Sequence, residues 1–397
     1  MNATLPKLSD IGPAIKACMP RTFWGYLALV LIVLGAVAGA YRFWVGLGPE
    51  ITNLSDNFPW GLWIAFDFFG IGLAAAGFTV VAAVHLFHAE SYEPIVRPAI
   101  LTALIGYTLV MMVLVVDLGL WPFAYHVFYN GNHHSVMFEI TWCLILYTTV
   151  LLCEIAPVVL DKFNINAPRK ILRSISLPLM IAGVILSTLH QSSFGSLYLI
   201  LPSRMHALWY SPILPILFYI SCIAMGLSMI IFETLLIRRK GIELITDKQR
   251  GNLAWVVVAV LFIYLITRFA DMAMATGSRQ GMAFDAMKTL TYHSKAFYTE
   301  IACFALPAIL LLFSKIRNSK CGIHCSVILV FLGFAANRMN TVVTSLEVPG
   351  VEGWTYFPST IEVVISLAIA AVGVSAFILI SRYLPIFVPE HGASHNH

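Results

Sequence analysis

Ten times along its 397 residues this chain runs apolar for about 20 residues, the length a helix needs to cross roughly 30 Å of hydrocarbon. Lipid offers the backbone no hydrogen-bond partners, so segments of this length must satisfy their own N–H and C=O groups as helices. The runs fall near 23–41, 60–87, 98–120, 136–160, 171–189, 213–237, 253–272, 298–313, 323–342 and 361–384. Composition agrees: 59% of residues are hydrophobic and 11% charged, where a soluble domain carries roughly a quarter charged residues. The chain therefore reads as an all-α integral membrane protein of about ten transmembrane helices, one membrane domain over 1–397. A net charge of +4, dispersed over so apolar a sequence, leaves no basic stripe for nucleic acid. Seven cysteines without a repeated CxxC provide neither a disulfide framework nor an iron–sulfur ligand set. Any electrons this chain handles come from a partner.

Orientation follows from the placement of Lys and Arg, which stay on the cytoplasmic side. The two tails and alternate connections hold 17 of the 24, including Arg238, Arg239 and Lys240. That arrangement expects the tails 1–22 and 386–397 in the cytoplasm, and the connections around Asp56, His126, Arg204, Lys288 and Trp354 outside. The first run contains Ala36-Val37-Ala38, a conceivable cleavage site. Because 22 residues precede it and polar flanks are missing, it reads as an uncleaved span. Trp60, Trp63, Trp121, Trp209, Trp354 and Tyr356 lie at the outer boundary, where amphipathic rings favour the interface.

Ionisable groups within a membrane are costly, and they face a bundle interior or a wet cavity. Asp67, Asp117, Glu139, Arg268, Asp271, Glu300, Arg338, Glu362 and His190 all fall within about three turns of an outer helix end. Two readings stand for the later ones: Arg268 and Arg338 neutralise Asp271, Glu300 and Glu362 as helix-pinning pairs, or the group serves a function. Asp67, Asp117 and Glu139 have fewer cationic neighbours and occupy spans two to four, beside His190 on span five. They are the better functional candidates. Toward the cytoplasm, Glu154 stands about 22 Å below Glu139 on nearly the same helix face, and Glu233 lies on span six. Either carboxylate could relay protons; Glu233 could equally be a partner of Arg238 or Arg239. Spans two to five and six to nine place polar residues at matching positions, so 60–190 and 211–342 are expected to form two four-helix bundles, with flanking helices at either end.

A b-type haem needs two histidines facing one another across a bundle, and no span supplies them. Cys321, His324 and Cys325 lack a fourth ligand nearby, so no metal site is expected. What remains is an apolar pocket lined by acids and a histidine near the outer face. That chemistry suits a quinone, whose reduction takes up two electrons and two protons and needs a donor and a carboxylate at its carbonyl oxygens. A transporter would concentrate its site near the midplane between broken helices, and a structural anchor would tolerate apolar replacement of the cluster.

The runs Phe58-Pro59-Trp60-Gly61-Leu62-Trp63-Ile64-Ala65-Phe66-Asp67, Ser135-Val136-Met137-Phe138-Glu139, His190-Gln191-Ser192-Ser193-Phe194-Gly195-Ser196-Leu197 and Ile231-Phe232-Glu233, with Arg97-Pro98-Ala99 and Tyr356-Phe357-Pro358, resemble the NrfD/HybB family of polysulfide-reductase membrane subunits, closest to its ten-span HybB-like branch. The resemblance extends over nearly the whole chain. It implies a haem-free subunit in a bacterial or archaeal cytoplasmic membrane that reacts with menaquinone or ubiquinone. It also implies docking to a periplasmic iron–sulfur subunit, within a nickel–iron hydrogenase, multihaem cytochrome or molybdenum enzyme complex. Asp67, His190 and Glu139 are then the expected catalytic residues, with Asp117 completing the quinone site. Glu139, Glu154 and Glu233 are the expected proton path.

Overall fold

In a computed structural model of the chain, residues 22–275, 278–289, 291–351 and 353–387 are described. The two tails expected in the cytoplasm lie almost wholly outside them. Helices dominate: α1 Phe23–Val45, α2 Leu62–His85, α3 Val96–Asp117, α4 Val136–Lys162, α5 Asn166–Ser174, α6 Ser176–Leu199, α7 Leu214–Arg238, α8 Asp247–Met274, α9 Ser278–Lys288, α10 Tyr292–Leu310, α11 Ser314–Arg317, α12 Lys320–Val342 and α13 Thr360–Tyr383. Among the described residues, nine helices are long and apolar enough to cross a membrane. The tenth expected span, 298–313, falls on α10. That helix has 19 residues and opens on the polar Tyr292-His293-Ser294-Lys295, so it is not one of the nine.

Side-chain caps set several helix starts. Thr22, Ser135, Thr291 and Ser319 each accept a first-turn N–H, and Thr246 and Ser359 form capping boxes with Gln249 and Glu362, satisfying donors that the helix itself cannot. One expected boundary was displaced. The fifth run was read as 171–189, whereas α6 covers Ser176–Leu199. The polar stretch after His190 continues the helix because its hydroxyls bond back to the preceding turn: Ser192 donates to Thr188 O at 3.1 Å and Ser193 to Leu189 O at 2.9 Å. His190 thus lies nine residues inside the helix end, about 14 Å deep.

Helices α2, α3, α4 and α6 contact one another in a closed circuit, and α7, α8, α10 and α12 form a second. We call these the first and second quartets. They join through α7, which packs against both α2 and α6, while α1 and α13 pair with each other and lie against α3. The junction is backbone-tight. A Cβ placed on Gly226 of α7 would stand 2.5 Å from Ala76 N and 2.7 Å from Ala75 C, and Ala74, Ala75 and Ala76 are fully buried. These small residues do the close-approach packing that membrane helices rely on in place of a solvent-driven core.

The loops at one end are tied together by Arg204, which donates to Asn57 O and covers the Trp354 ring at 4.2 Å, and by Asn53, bonded to Phe357 O at 2.7 Å. This aromatic end carries Trp60, Trp121 and Trp354. The opposite, basic end is held by Gln249, donating to Ser91 O at 2.8 Å, and by Arg238 and Arg250, both paired with Asp247.

Candidate functional site

The first quartet encloses polar groups that have no hydrogen-bond partner within the protein: both oxygens of Asp67, both ring nitrogens of His190, the Tyr107 and Tyr198 hydroxyls and Ser187 Oγ. Asp67 is 1% exposed and His190, Tyr107 and Ser187 are 0% exposed. Each unsatisfied buried group costs about 1–3 kcal/mol. Several in one place mark a site kept for something other than stability. The surroundings are aromatic: the His190 ring lies 4.8 Å from Phe194 and 5.4 Å from Tyr107, and Tyr107 lies 4.6 Å from Tyr147, centre to centre. Gln191, next to His190, donates to Ile71 O at 3.0 Å and so fixes α6 against α2.

The four residues expected to form one site occupy three neighbouring positions. Asp67 is near enough to Asp117 for their charges to interact, and Asp117 in turn feels Glu362 and Arg42. Arg42 comes from α1 and donates to Val116 O at 2.6 Å and Leu118 O at 2.5 Å, closing the C-terminus of α3. His190 sits deeper, among Tyr107 and Phe194. Glu139, exposed on the first turn of α4, accepts from Ser193 of α6 at 2.7 Å. Asp67 and His190 share no hydrogen bond. Sequence reasoning missed Tyr107, Tyr147 and Ser187. The available signal was helical spacing, since Ser187 precedes His190 by three residues and shares its face.

Toward the basic end, Glu233 is buried; one of its oxygens accepts from Thr102 and the other has no partner. It is not an ion partner of Arg238, whose guanidinium reaches Asp247 and Glu243 instead. Glu154 Oε1 stands 3.7 Å from where a Cβ on Gly183 would be, and Tyr147 Cε2 stands at the same distance from that point. Glu154 and Tyr147 therefore border the same spot on α6.

In the second quartet Glu300 and Arg338 are held mainly by neutral partners. Glu300 accepts from Asn337 at 2.7 Å, Trp209 Nε1 at 2.9 Å and Asn340 at 2.9 Å, neutral donors in place of an arginine. Arg338 bonds Asn337, Ser221, Cys222 and Phe218 O. Glu362 is a capping-box residue and accepts from Tyr356 OH at 2.5 Å. A narrow void here is lined by Trp209, Phe218, Tyr264, Arg268 and Asn337. In the loop before α7, burial and the neighbouring His293 hold the His206 imidazole down to about 4.

Two cofactor chemistries can be tested against these donors. Among the described residues, neither His190 nor the His206 and His293 pair is arranged as two facing axial ligands. The His190 ring meets the Tyr107 and Phe194 rings and no second histidine ring, and the His206 and His293 rings stack at 4.2 Å and 10°, which leaves no room for a porphyrin between them. Among the described residues no group of three or more His, Cys, Asp or Glu is placed to hold a metal ion. The buried, unpartnered groups of the first quartet are of the kind that a quinone's two carbonyl oxygens would call for.

The family described as polysulphide reductase, NrfD, matches residues 50–349. A protein of Nitratidesulfovibrio vulgaris is 35% identical over 92% of this chain and 95% of its own length. The probable Ni/Fe-hydrogenase 2 b-type cytochrome subunit of Escherichia coli is 31% identical over 92% of this chain and 93% of that protein. The integral membrane subunit of a menaquinone reductase from Nitratidesulfovibrio vulgaris is 29% identical, covering 98% of each chain.

Proposed function

The chain belongs to the NrfD polysulphide reductase family, and we propose that it is the quinone-reactive membrane subunit of a respiratory oxidoreductase complex, exchanging electrons between a periplasmic iron–sulfur subunit and the quinone pool. The observation that carries this reading is the set of unpartnered polar groups on Asp67, His190 and Tyr107 inside the first quartet. Relatives named as a probable Ni/Fe-hydrogenase b-type cytochrome subunit and as the integral membrane subunit of a menaquinone reductase support it, and menaquinone is the quinone favoured. In this reading the aromatic end faces the periplasm, the termini are cytoplasmic, and 60–190 and 211–342 are the two bundles.

A bound quinone supplies two-electron, two-proton chemistry. The protein's part is to orient and to move protons. A neutral imidazole carries one N–H and one bare nitrogen, so His190 holds a carbonyl oxygen by donation. Asp67, its oxygens committed to no other group, holds a proton for delivery, and Asp117 connects it toward the aromatic end. Glu139, fixed by Ser193, stands where α4 opens to that end. Glu154 and Glu233 form the proton supply from the basic end, which couples turnover to proton translocation.

The test is quinone reduction by the purified complex with an artificial donor. His190→Ala and Asp67→Asn are expected to lower turnover by about 10²-fold or more while the complex still assembles. Wild-type kinetics in both variants refutes the site.

A further inference from the structure

Between the basic-end carboxylate Glu154 and His190 lies a gap that neither residue spans. On α4, Glu154 and Tyr147 are seven residues apart, two turns on one face and about 10 Å along the axis. Side chains tilt toward the helix N-terminus, here the aromatic end, so Glu154 leans toward Tyr147. Both border the same spot on α6, at Gly183. The Tyr147 hydroxyl stands 3.5 Å from where a Cβ on Gly77 of α2 would be, so it points to the centre of the quartet. There the Tyr107 ring lies 4.6 Å from Tyr147 and 5.4 Å from His190. Ser187 stands within hydrogen-bonding reach of both phenols, while its Oγ and the Tyr107 hydroxyl close no bond of full geometry. On α6, Gly183, Ser187 and His190 follow one another at spacings of four and three residues, a single stripe facing this line. The three polar side chains are buried, and the Tyr107 hydroxyl, Ser187 Oγ and both His190 nitrogens have no partner in the protein. Packing does not explain a phenol pair and a serine set in hydrocarbon, with the Tyr107 and Ser187 oxygens unpartnered.

We propose that Tyr147, Tyr107 and Ser187 form the mid-membrane proton relay that joins Glu154 to His190. The inference rests on the reading of Glu154 as a basic-end proton donor to the quinone site. Each phenol or hydroxyl passes its proton forward as it takes one from behind, directly or through a single water bridging two or more of these oxygens. The sum of the steps is one proton lost by the Glu154 carboxyl and one gained by His190. No electron moves and each oxygen is restored.

The experiment uses the intact complex reconstituted in vesicles, with two readouts. The first is proton flux driven by an imposed potassium diffusion potential, followed with an entrapped pH dye, and it needs no quinone. The second is quinone reduction by an artificial donor. Tyr107→Phe and Tyr147→Phe remove one oxygen each and keep the rings. Each is expected to cut proton flux at least tenfold, and Ser187→Ala to cut it severalfold. Ser228→Ala also removes a buried, unpartnered hydroxyl, but from α7, outside the first quartet; flux is expected to stay at the wild-type level. Wild-type flux in both Tyr107→Phe and Tyr147→Phe, an equal loss in Ser228→Ala, or absence of flux in the wild type overturns the relay. Failure of the quinone reading looks different: flux present and sensitive to the two tyrosines, with no quinone reduction in the wild type.

Discussion

Replacing Asp67 by leucine separates function from stability. Leucine has the same branch at Cγ, with two methyl groups where aspartate has two oxygens. Both oxygens are buried and neither has a hydrogen-bond partner, so removing them relieves about 2–6 kcal/mol at about 1–3 kcal/mol for each unsatisfied group. The larger methyls return about 1–3 kcal/mol of overpacking. The net spans about −1 to +5 kcal/mol, centred on a gain of about 2 kcal/mol, which would raise the thermal midpoint by about 2–4 °C. Quinone turnover should fall by about 10²–10⁴-fold, the range for losing a positioned acid or base. Both are measurable on one preparation of the complex, the midpoint by tryptophan fluorescence on heating and the rate with an artificial donor. Asp67→Asn should melt close to wild type and be slow. A leucine variant that melts several degrees below wild type would falsify the premise that Asp67 is unpartnered, and one that turns over normally removes Asp67 from the site.

Four further outcomes follow. Gly226→Val should abolish a monodisperse folded chain on size exclusion, because the new side chain meets the α2 backbone at Ala75 and Ala76, whereas Gly39→Ala, with nothing within 4 Å, should leave elution unchanged. His206, held at about 4 in the folded loop against about 6.5 when unfolded, binds fewer protons folded than unfolded between those values. Its contribution is therefore full above pH 6.5 and lost as pH falls toward 4; allowing for the ring's partial exposure this amounts to about 1–2 kcal/mol, and His206→Gln should flatten the midpoint–pH curve over that window. Trp209→Phe removes an indole donor from Glu300 and should cost about 1–3 kcal/mol, read as a lower midpoint with the ring packing largely kept. Cys321 and Cys325 are exposed at the basic end, so in a Cys18→Ser background a membrane-impermeant maleimide should label inverted vesicles and spare right-side-out ones; the reverse pattern overturns the assigned orientation.

The spans were legible because lipid imposes length and apolarity on every one of them, and nine expected runs coincide with nine long apolar helices. The end of α6 was not legible. Ser192, Ser193 and Ser196 look like loop composition, and only the geometry of hydroxyls bonding back along a helix makes them tolerable there. Depth of the ionisable residues could be read from spacing, but side-chain direction could not. Asp67 and His190 therefore appeared as one cluster, whereas the structure sets Asp67 toward Asp117 and His190 toward Tyr107. Glu233 showed the same limit: proximity in sequence to Arg238 predicted a pair, while the arginine turns to Asp247 and the carboxylate to Thr102. Tyrosines inside apolar spans carry no distinctive pattern, so Tyr107 and Tyr147 passed as core.

The contact between Gly226 and the Ala75–Ala76 backbone has a mechanical meaning. Where two helices touch through long side chains, rotamer changes can absorb sliding. Here main chain meets main chain, close-packed matter with no give, and a shift of one ångström across the seam would drive atoms into each other. The quartets meet there with no side chain between them to take up movement. Rocking one repeat against the other, the motion by which transporters alternate their access, would first have to part that backbone seam.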